Sequence, residues 1–359
     1  MNSSDFICKS TENIPEKGEV TWESPSNIAL VKYWGKKPVQ IPSNPSISLT
    51  LKNCSTTTKL RFERSKSPAI HLTVSGKENI SFLKKINQFI DRIQSYCPYV
   101  KDYSLYIDTE NTFPHSSGIA SSASGFSALA LCIVSIEKDA LNLSNEFFLK
   151  KASFISRLGS GSACRSIYGP IAIWGGHSFY DKSNDEYAIP FTESHEVFKN
   201  YQDTILIVDK GKKQVSSTVG HQLMNDHPYA SSRFKQADQN IETIKKILIE
   251  GNLNAFNELI EKEALSLHAM MMTSNPYFML FKANTINIIN KVWEKRNSSS
   301  LPMSITLDAG ANVHLLYPEK YKTEITAFIR EELIGYCENQ QYICDEVGNG
   351  PLIKKEHYA

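Results

Sequence analysis

Long apolar runs, paired cysteines and an excess of charge of either sign are all missing from this chain. The longest weakly polar stretch, Gly125 to Ile136, falls far short of the roughly 20 residues that cross a bilayer, so it reads as a buried helix. The seven cysteines, at 8, 54, 97, 132, 164, 337 and 344, are odd in number, scattered, and never spaced Cys-x-x-Cys. That argues against a disulfide framework and a zinc site and fits a reducing cytoplasm. Residues 1–19 are polar and hold no apolar h-region, so no signal peptide is legible. A formal net charge of +1 advertises neither nucleic acid nor an anionic membrane as partner. There is no internal repeat, no low-complexity linker, and no Gly-x-x-x-x-Gly-Lys-[Ser/Thr] loop. The histidines, His221 and His227 included, form no metal-ligand pattern, and no dedicated metal site is expected.

What is present is a chain of 359 residues with 41% hydrophobic and 21% charged residues, enough to bury a large core in two packed lobes. Strand-like segments dominate the beginning: 20–23, 46–51, 56–63, 70–74 and 104–108. Between them, 79–96 carries apolar residues at helical spacing. Helices are expected from Ser121 to about Lys138 and from Ser144 to Leu158, and then over most of 216–297, with breaks at 226–228, Gly251 and 275–276. Strands at 171–174, 205–208, 303–307 and 313–317, with a helix at 320–334, complete the pattern. The expectation is α+β, with a β-rich lobe over 1–198, a helix-rich lobe over 199–345, and 346–359 as a loose tail.

Three polar, small-residue segments carry the chemistry. The first is Ser24-Pro25-Ser26-Asn27-Ile28-Ala29-Leu30-Val31-Lys32-Tyr33-Trp34-Gly35-Lys36-Lys37, in which lysines suited to phosphate flank an aromatic pair. The second is Phe113-Pro114-His115-Ser116-Ser117-Gly118-Ile119-Ala120-Ser121-Ser122-Ala123-Ser124-Gly125-Phe126. A strand, a small-residue loop and a helix start make an anion-binding design, with Ser121, Ser122 and Ser124 as hydroxyl ligands for phosphate or Mg²⁺. The third, Gly159-Ser160-Gly161-Ser162-Ala163-Cys164-Arg165-Ser166, pairs backbone amides and hydroxyls with an arginine able to grip an anion bidentately. Asp308, before Ala309-Gly310, is a carboxylate at a strand end. Each also has a structural reading: a small-residue helix used for close packing, a solvated Lys37, a helix C-cap with an exposed arginine, and an Asx turn at Asp308. The loop from Asp209 to Thr218 is either a further phosphate contact or a solvated turn with an ordinary N-cap.

Taken together, Asn27 to Lys36, Gly118 to Phe126, Gly159 to Ser166 and Asp308-Ala309-Gly310 resemble the diphosphomevalonate decarboxylase family, in matching order over residues 20–320. That family sits in the superfamily of galactokinase, homoserine kinase and mevalonate kinase. The resemblance implies a two-lobed fold with the site in the cleft, ATP and Mg²⁺ as cofactors, and mevalonate 5-diphosphate as substrate. The implied reaction phosphorylates the 3-hydroxyl, expels the phosphate and releases carbon dioxide to give isopentenyl diphosphate. It implies Asp308, Lys32 and Arg165 as catalytic, the arginine holding the substrate carboxylate. Tyr33, Lys36, Ser160, Ser162, Ser216 and Ser217 would bind substrate, and Ser117, Gly118, Ser121, Ser122 and Ser124 the nucleotide, with Ser122 touching its Mg²⁺. A homodimer is implied too. The alternatives are a mevalonate 3-kinase, a phosphomevalonate decarboxylase, or a non-catalytic binding protein on this scaffold.

Three departures stand out. Pro114-His115-Ser116-Ser117-Gly118 replaces the family's common Pro-Thr-Ala-Ala-Gly, Lys37-Pro38 replaces Arg-Asp, and His221 stands where a methionine is common.

Overall fold

The computed structural model describes residues 1–114, 119–211 and 217–358, without the side chains of 217 and 218. In chain order the first half contains β1 (Lys17–Val31), β2 (Lys36–Lys37), β3 (Ile41–Pro42), β4 (Ser46–Arg64), β5 (Ile70–Val74), β6 (Lys77–Glu78), α1 (Ile80–Ile93), β7 (Tyr103–Asn111), α2 (Ser121–Lys138), α3 (Asn145–Gly159), β8 (Ile171–Trp174) and β9 (Ile189–Pro190). The second half contains β10 (Gln202–Leu206), α4 (Ser217–Gln222), α5 (Ala230–Glu250), α6 (Leu253–Met272), α7 (Ala283–Ser299), β11 (Ser304–Thr306), β12 (Val313–Tyr317), α8 (Lys322–Phe328), β13 (Tyr342–Glu346) and β14 (Leu352–Tyr358).

Among the described residues two larger sheets organise the chain. One has eight strands in the order β14-β1-β4-β7-β5-β6, with β8 on β4 and β9 on β8; the other runs β11-β12-β10-β13. Helices α1, α2 and α3 cover one face of the first sheet, where Phe62, Phe89, Leu131, Ile133 and Phe154 are fully or almost fully buried. The second sheet packs against α7 and α8 through Ile288, Val292, Leu315 and Phe328.

Sheet and helix α2 meet through hydroxyls as well as hydrocarbon. Ser24 and Ser127 hydroxyls share a hydrogen bond of 2.5 Å, Thr56 and Ser124 one of 2.6 Å, and Ser26 donates to the Ile119 carbonyl at 2.6 Å. Small residues on both sides permit the close approach, and each buried hydroxyl is satisfied, which removes the desolvation penalty. The packing reading of the second segment therefore holds for the body of α2.

Two expectations are corrected. The segments 46–51 and 56–63 are one continuous strand, β4, whose pairing with β1, β7 and β8 lapses at 52–54. There the buried Asp345 carboxylate accepts the backbone N–H groups of Lys52 (3.0 Å), Asn53 (2.8 Å) and Cys54 (2.7 Å). An aspartate of the second sheet thus supplies the ladder bonds that β4 lacks at its break. Nor is 346–359 a loose tail: β14 pairs antiparallel with β1, Gly18 opposite Tyr358 and Glu23 opposite Leu352. Its lysines reflect an exposed edge strand, which charge protects from further pairing. Gly348 is required by close approach, since a Cβ there would lie 2.6 Å from the Leu51 carbonyl oxygen.

Candidate active site

Lys32 follows directly on β1, and both of its backbone groups are fixed. Its N–H donates to Glu263 Oε2 (2.9 Å) and its carbonyl accepts from Asn44 Nδ2 (2.9 Å). Glu263, on α6, is itself buried and takes Arg233 at 3.0 and 2.5 Å and Asn240 at 2.5 Å. Held this way, the 1% exposed Lys32 side chain puts Nζ 3.1 Å from Asp308 Oδ1, and Asp308 is 27% exposed. Burial pulls the Lys32 ammonium below its ordinary pKa, and Asp308 opposes the shift. The Asp308 carbonyl accepts from His268 Nε2 at 3.1 Å, and that ring stacks on Phe281 with centroids 4.1 Å apart. The result is a buried cation facing a carboxylate that opens to solvent.

Arg165 sits in the 3₁₀ segment Gly161–Ile167 after α3 and is 3% exposed. Its Nε donates to Ser48 Oγ (3.1 Å), Nη1 to Ser46 Oγ (2.7 Å) and Nη2 to Asn27 Oδ1 (3.3 Å). Asn27 is in turn fixed by donating to Ser166 Oγ (2.8 Å) and to the Ser162 carbonyl (3.2 Å). Three of the five guanidinium N–H groups are thus engaged by neutral acceptors. Among the described residues no carboxylate lies within ion-pair distance of Arg165. Burial lowers its pKa, with Cys164, Asp308 and Tyr33 opposing. The buried charge is oriented but not neutralised, which is the condition of a site built for an anion.

Between these groups lies Tyr33, its ring 4.7 Å from Trp174 and 4.3 Å from His221. The Tyr33 hydroxyl is buried and has no hydrogen-bond partner among the described residues. Gly161 touches it closely, since a Cβ there would lie 2.7 Å from that oxygen. The glycine is therefore required by packing as well as by any ligand-facing amide. Gly35, at φ +93°, turns the chain back, and its N–H donates to His221 Nδ1 at 2.9 Å. Burial, then Lys36 and Arg165, hold His221 down to about 3, so it is neutral with its proton on Nε2. Lys36 is half-buried, donates to Gln40 Oε1 at 3.0 Å, and has its pKa lowered by burial and by Arg92.

The start of α2 closes the site from the other side. Ser121 is half-buried and Ser122 exposed in its first turn, and Ser160 Oγ donates to Ser122 Oγ at 3.4 Å. The end of α3 is thereby brought against the beginning of α2. Ser124 is corrected: it is fully buried, and its hydroxyl is occupied by Thr56 and the Ser121 carbonyl, so it belongs to helix–sheet packing. Ser117, Gly118 and Ser216 lie outside the described residues. Ser217 opens α4, and its side chain also lies outside them.

The structure brings together Lys32, Tyr33, Arg165, Asp308, Lys36, Ser121, Ser122, Ser160 and Ser162. It adds residues that sequence reasoning passed over: Asn27, Ser46 and Ser48 behind Arg165, Glu263 behind Lys32, and His268 behind Asp308. Asn27 stood inside a quoted segment and was legible. Glu263 lies 231 positions from Lys32 on an ordinary amphipathic helix and carries no local signal.

Two family models match the chain. Residues 24–188 fit the diphosphomevalonate decarboxylase-like N-terminal domain, and residues 204–356 fit the mevalonate 5-diphosphate decarboxylase C-terminal domain. The diphosphomevalonate decarboxylase of Candida albicans is 30% identical over 321 residues, covering 85% of this chain and 86% of that one. That of Saccharomyces cerevisiae is 30% identical over 328 residues, covering 85% and 79%. Among solved structures, mevalonate diphosphate decarboxylase from Staphylococcus aureus superposes with a TM-score of 0.83 at 28% identity, over 94% of this chain and 98% of that one. A related chain solved in complex with MVAPP, AMPPCP and magnesium gives 0.81 at 26%, over 94% and 99%. The α+β fold is that of these enzymes.

Proposed function

The chain belongs to the diphosphomevalonate decarboxylase family, and from that premise we propose how its own residues carry the reaction. It is an ATP- and Mg²⁺-dependent decarboxylase of the mevalonate pathway, and mevalonate 5-diphosphate gives isopentenyl diphosphate, ADP, phosphate and carbon dioxide. The observation that carries the assignment of roles is the Lys32–Asp308 pair at 3.1 Å beside the buried, unneutralised guanidinium of Arg165.

The residues present fit the nucleotide. The first turn of the 18-residue helix α2 offers backbone N–H groups and the positive end of its dipole, and among the described residues nothing lies within 4 Å of where a Cβ on Gly125 would be. ATP supplies the phosphoryl group that turns a hydroxyl into a leaving group, and Mg²⁺ accompanies its phosphates. Ser121 and Ser122 donate to that phosphate chain. Asp308 accepts the proton of the substrate 3-hydroxyl, and Lys32 holds the aspartate while its ammonium faces the negative charge of transfer. Arg165 has two N–H groups uncommitted among the described residues and grips the substrate carboxylate, keeping it beside the carbon from which phosphate departs. Positive charge builds at that carbon, and the electrons of the carboxylate bond fill it as carbon dioxide leaves. Tyr33, Lys36, Ser160 and Ser162 bind the diphosphate, and Ser216 and Ser217 are further substrate-binding residues. The work is positioning and electrostatics rather than covalent catalysis. We also place the protein in the cytoplasm, a reading that the unpaired cysteines favour, and take it to be a homodimer from the family resemblance.

The test is release of ADP and carbon dioxide from mevalonate 5-diphosphate and Mg-ATP. A one-to-one ratio is expected, and ADP without carbon dioxide would make the protein a 3-kinase. Equal turnover of the monophosphate would overturn the substrate. Asp308→Asn should lower kcat by about 10³-fold, within the range of a lost general base, with the fold retained by circular dichroism and a lowered thermal midpoint, since buried Lys32 loses its ion-pair partner.

A further inference from the structure

We propose that Arg157 is a positioning residue for diphosphate binding, holding the 36–42 hairpin in a left-handed turn that aims Lys36. This rests on the reading of Lys36 as a diphosphate ligand. Strands β2 and β3 pair Lys36 with Pro42 and Lys37 with Ile41, and the turn between them has Val39 at φ 59° and Gln40 at φ 62°. Hairpin turns with two positive φ values ordinarily use Asn-Gly. A β-branched residue there is an outlier that persists only where its surroundings over-determine it. Packing of the Val39 side chain is not the cause, because Val39 is 60% exposed.

The cause is one buried fork. Arg157 is 1% exposed, its Nη1 donates to the Val39 carbonyl at 2.6 Å, and Nε and Nη2 donate to the Glu186 carbonyl and Oε2, both at 2.7 Å. With three N–H groups committed in two directions the guanidinium cannot rotate, so the Val39 carbonyl has one place to go. The next residue converts that backbone into a side-chain position. Gln40 Oε1 accepts from Lys36 Nζ at 3.0 Å, while Gln40 Nε2 reaches the Gly159 carbonyl at 3.5 Å. Arg157 lies in the last turn of α3, three residues before Ser160. One helix end therefore carries the serine loop directly and the Lys36 hairpin through its arginine, fixing the distance between two sets of diphosphate contacts. A lysine would supply the charge without the fork.

The experiment uses the full-length enzyme. Arg157→Lys should raise KM for mevalonate 5-diphosphate about tenfold, leave kcat and the KM for ATP within twofold, and speed hydrogen exchange of the Lys36, Lys37, Val39, Gln40 and Ile41 amides at least tenfold. Adding Val39→Asn or Val39→Gly, which favour positive φ and leave the Gln40 contact to Lys36 in place, should restore KM to within threefold of wild type. Unchanged exchange in Arg157→Lys, or a parallel rise in both KM values with a falling kcat and thermal midpoint, would overturn the proposal. So would failure of the turn substitutions to rescue. Lys36→Gln separates the two readings. If it raises KM for the diphosphate while Arg157→Lys does not, the positioning role alone falls. If Lys36→Gln leaves KM unchanged, the diphosphate reading of Lys36 falls, and the proposal with it.

Discussion

Arg157 and Arg165 stand eight positions apart, both almost wholly buried, and they spend their charge differently. Arg157 meets the Glu186 carboxylate at 2.7 Å and two backbone carbonyls. Arg165 meets two serine hydroxyls and an asparagine amide. A buried cation with a carboxylate partner is part of the frame, whereas one held only by neutral dipoles costs stability that a ligand's charge recovers. Burial alone marks neither class; the partner does.

The largest test of that comparison exchanges each arginine for methionine, similar in reach and without charge. Arg165→Met should lower kcat/KM by roughly 30- to 5,000-fold, the equivalent of the 2–5 kcal/mol lost when one partner of a buried charge pair is removed. Its folding free energy in urea should hold or rise, since an unneutralised buried charge has gone. Arg157→Met should do the reverse in stability, losing about 2 kcal/mol as a set of charged hydrogen bonds disappears. Glu186 is partly exposed, which keeps the loss at that level rather than higher. Equal destabilisation by both substitutions would refute the distinction.

That distinction was not available from the sequence. Lys32, Arg165 and Asp308 were legible because each sits in a string of small and polar residues whose composition already suggests a ligand. The partners that decide their roles were not legible. Ser46 and Ser48 lie on a strand that reads as core, and Glu263 and His268 lie on an ordinary helix. Long-range contacts choose them, and no local pattern records the choice. The α+β class followed from the order of strand and helix periods, yet β14 was misread. Its lysines and the Gly-Asn-Gly turn before it look like a tail until β1 is seen to need an edge partner. Ser124 erred in the opposite direction: a helix-start serine looks like a phosphate ligand until its hydroxyl is found against Thr56.

The rule extends to histidine, at smaller cost. His221 and His268 are buried without a carboxylate partner to the ring among the described residues, and burial holds them neutral, at about 3 and about 4. Both folded values lie below the ordinary 6.5, so the unfolded chain binds more protons as pH falls beneath it. Their contribution is fully present above pH 6.5 and is lost as pH drops toward 4 or 3. Between pH 7 and pH 4.5 each should subtract roughly 2–3 kcal/mol from the urea-measured stability. His221→Asn keeps an acceptor for the Gly35 N–H, and His268→Gln keeps a donor to the Asp308 carbonyl. Each should flatten the acid slope by its share, and an unaltered slope in both would show that other groups set the acid limit.

The smallest effects sharpen the comparison within a single helix turn. Ser122 and Ser124 are two residues apart at the start of α2, one exposed and one fully buried against Thr56. Ser124→Ala should cost about 1 kcal/mol of stability, because the Thr56 hydroxyl loses one of its two partners and keeps only Asn111 Oδ1, and should leave the KM for ATP unchanged. Ser122→Ala should change stability by less than about 0.5 kcal/mol while raising the KM for Mg-ATP several-fold. If Ser124→Ala instead raised that KM without loss of stability, its hydroxyl would have to leave Thr56 when nucleotide binds. The helix would then serve the ligand with both serines, and the division between packing and binding faces would move past Ser124.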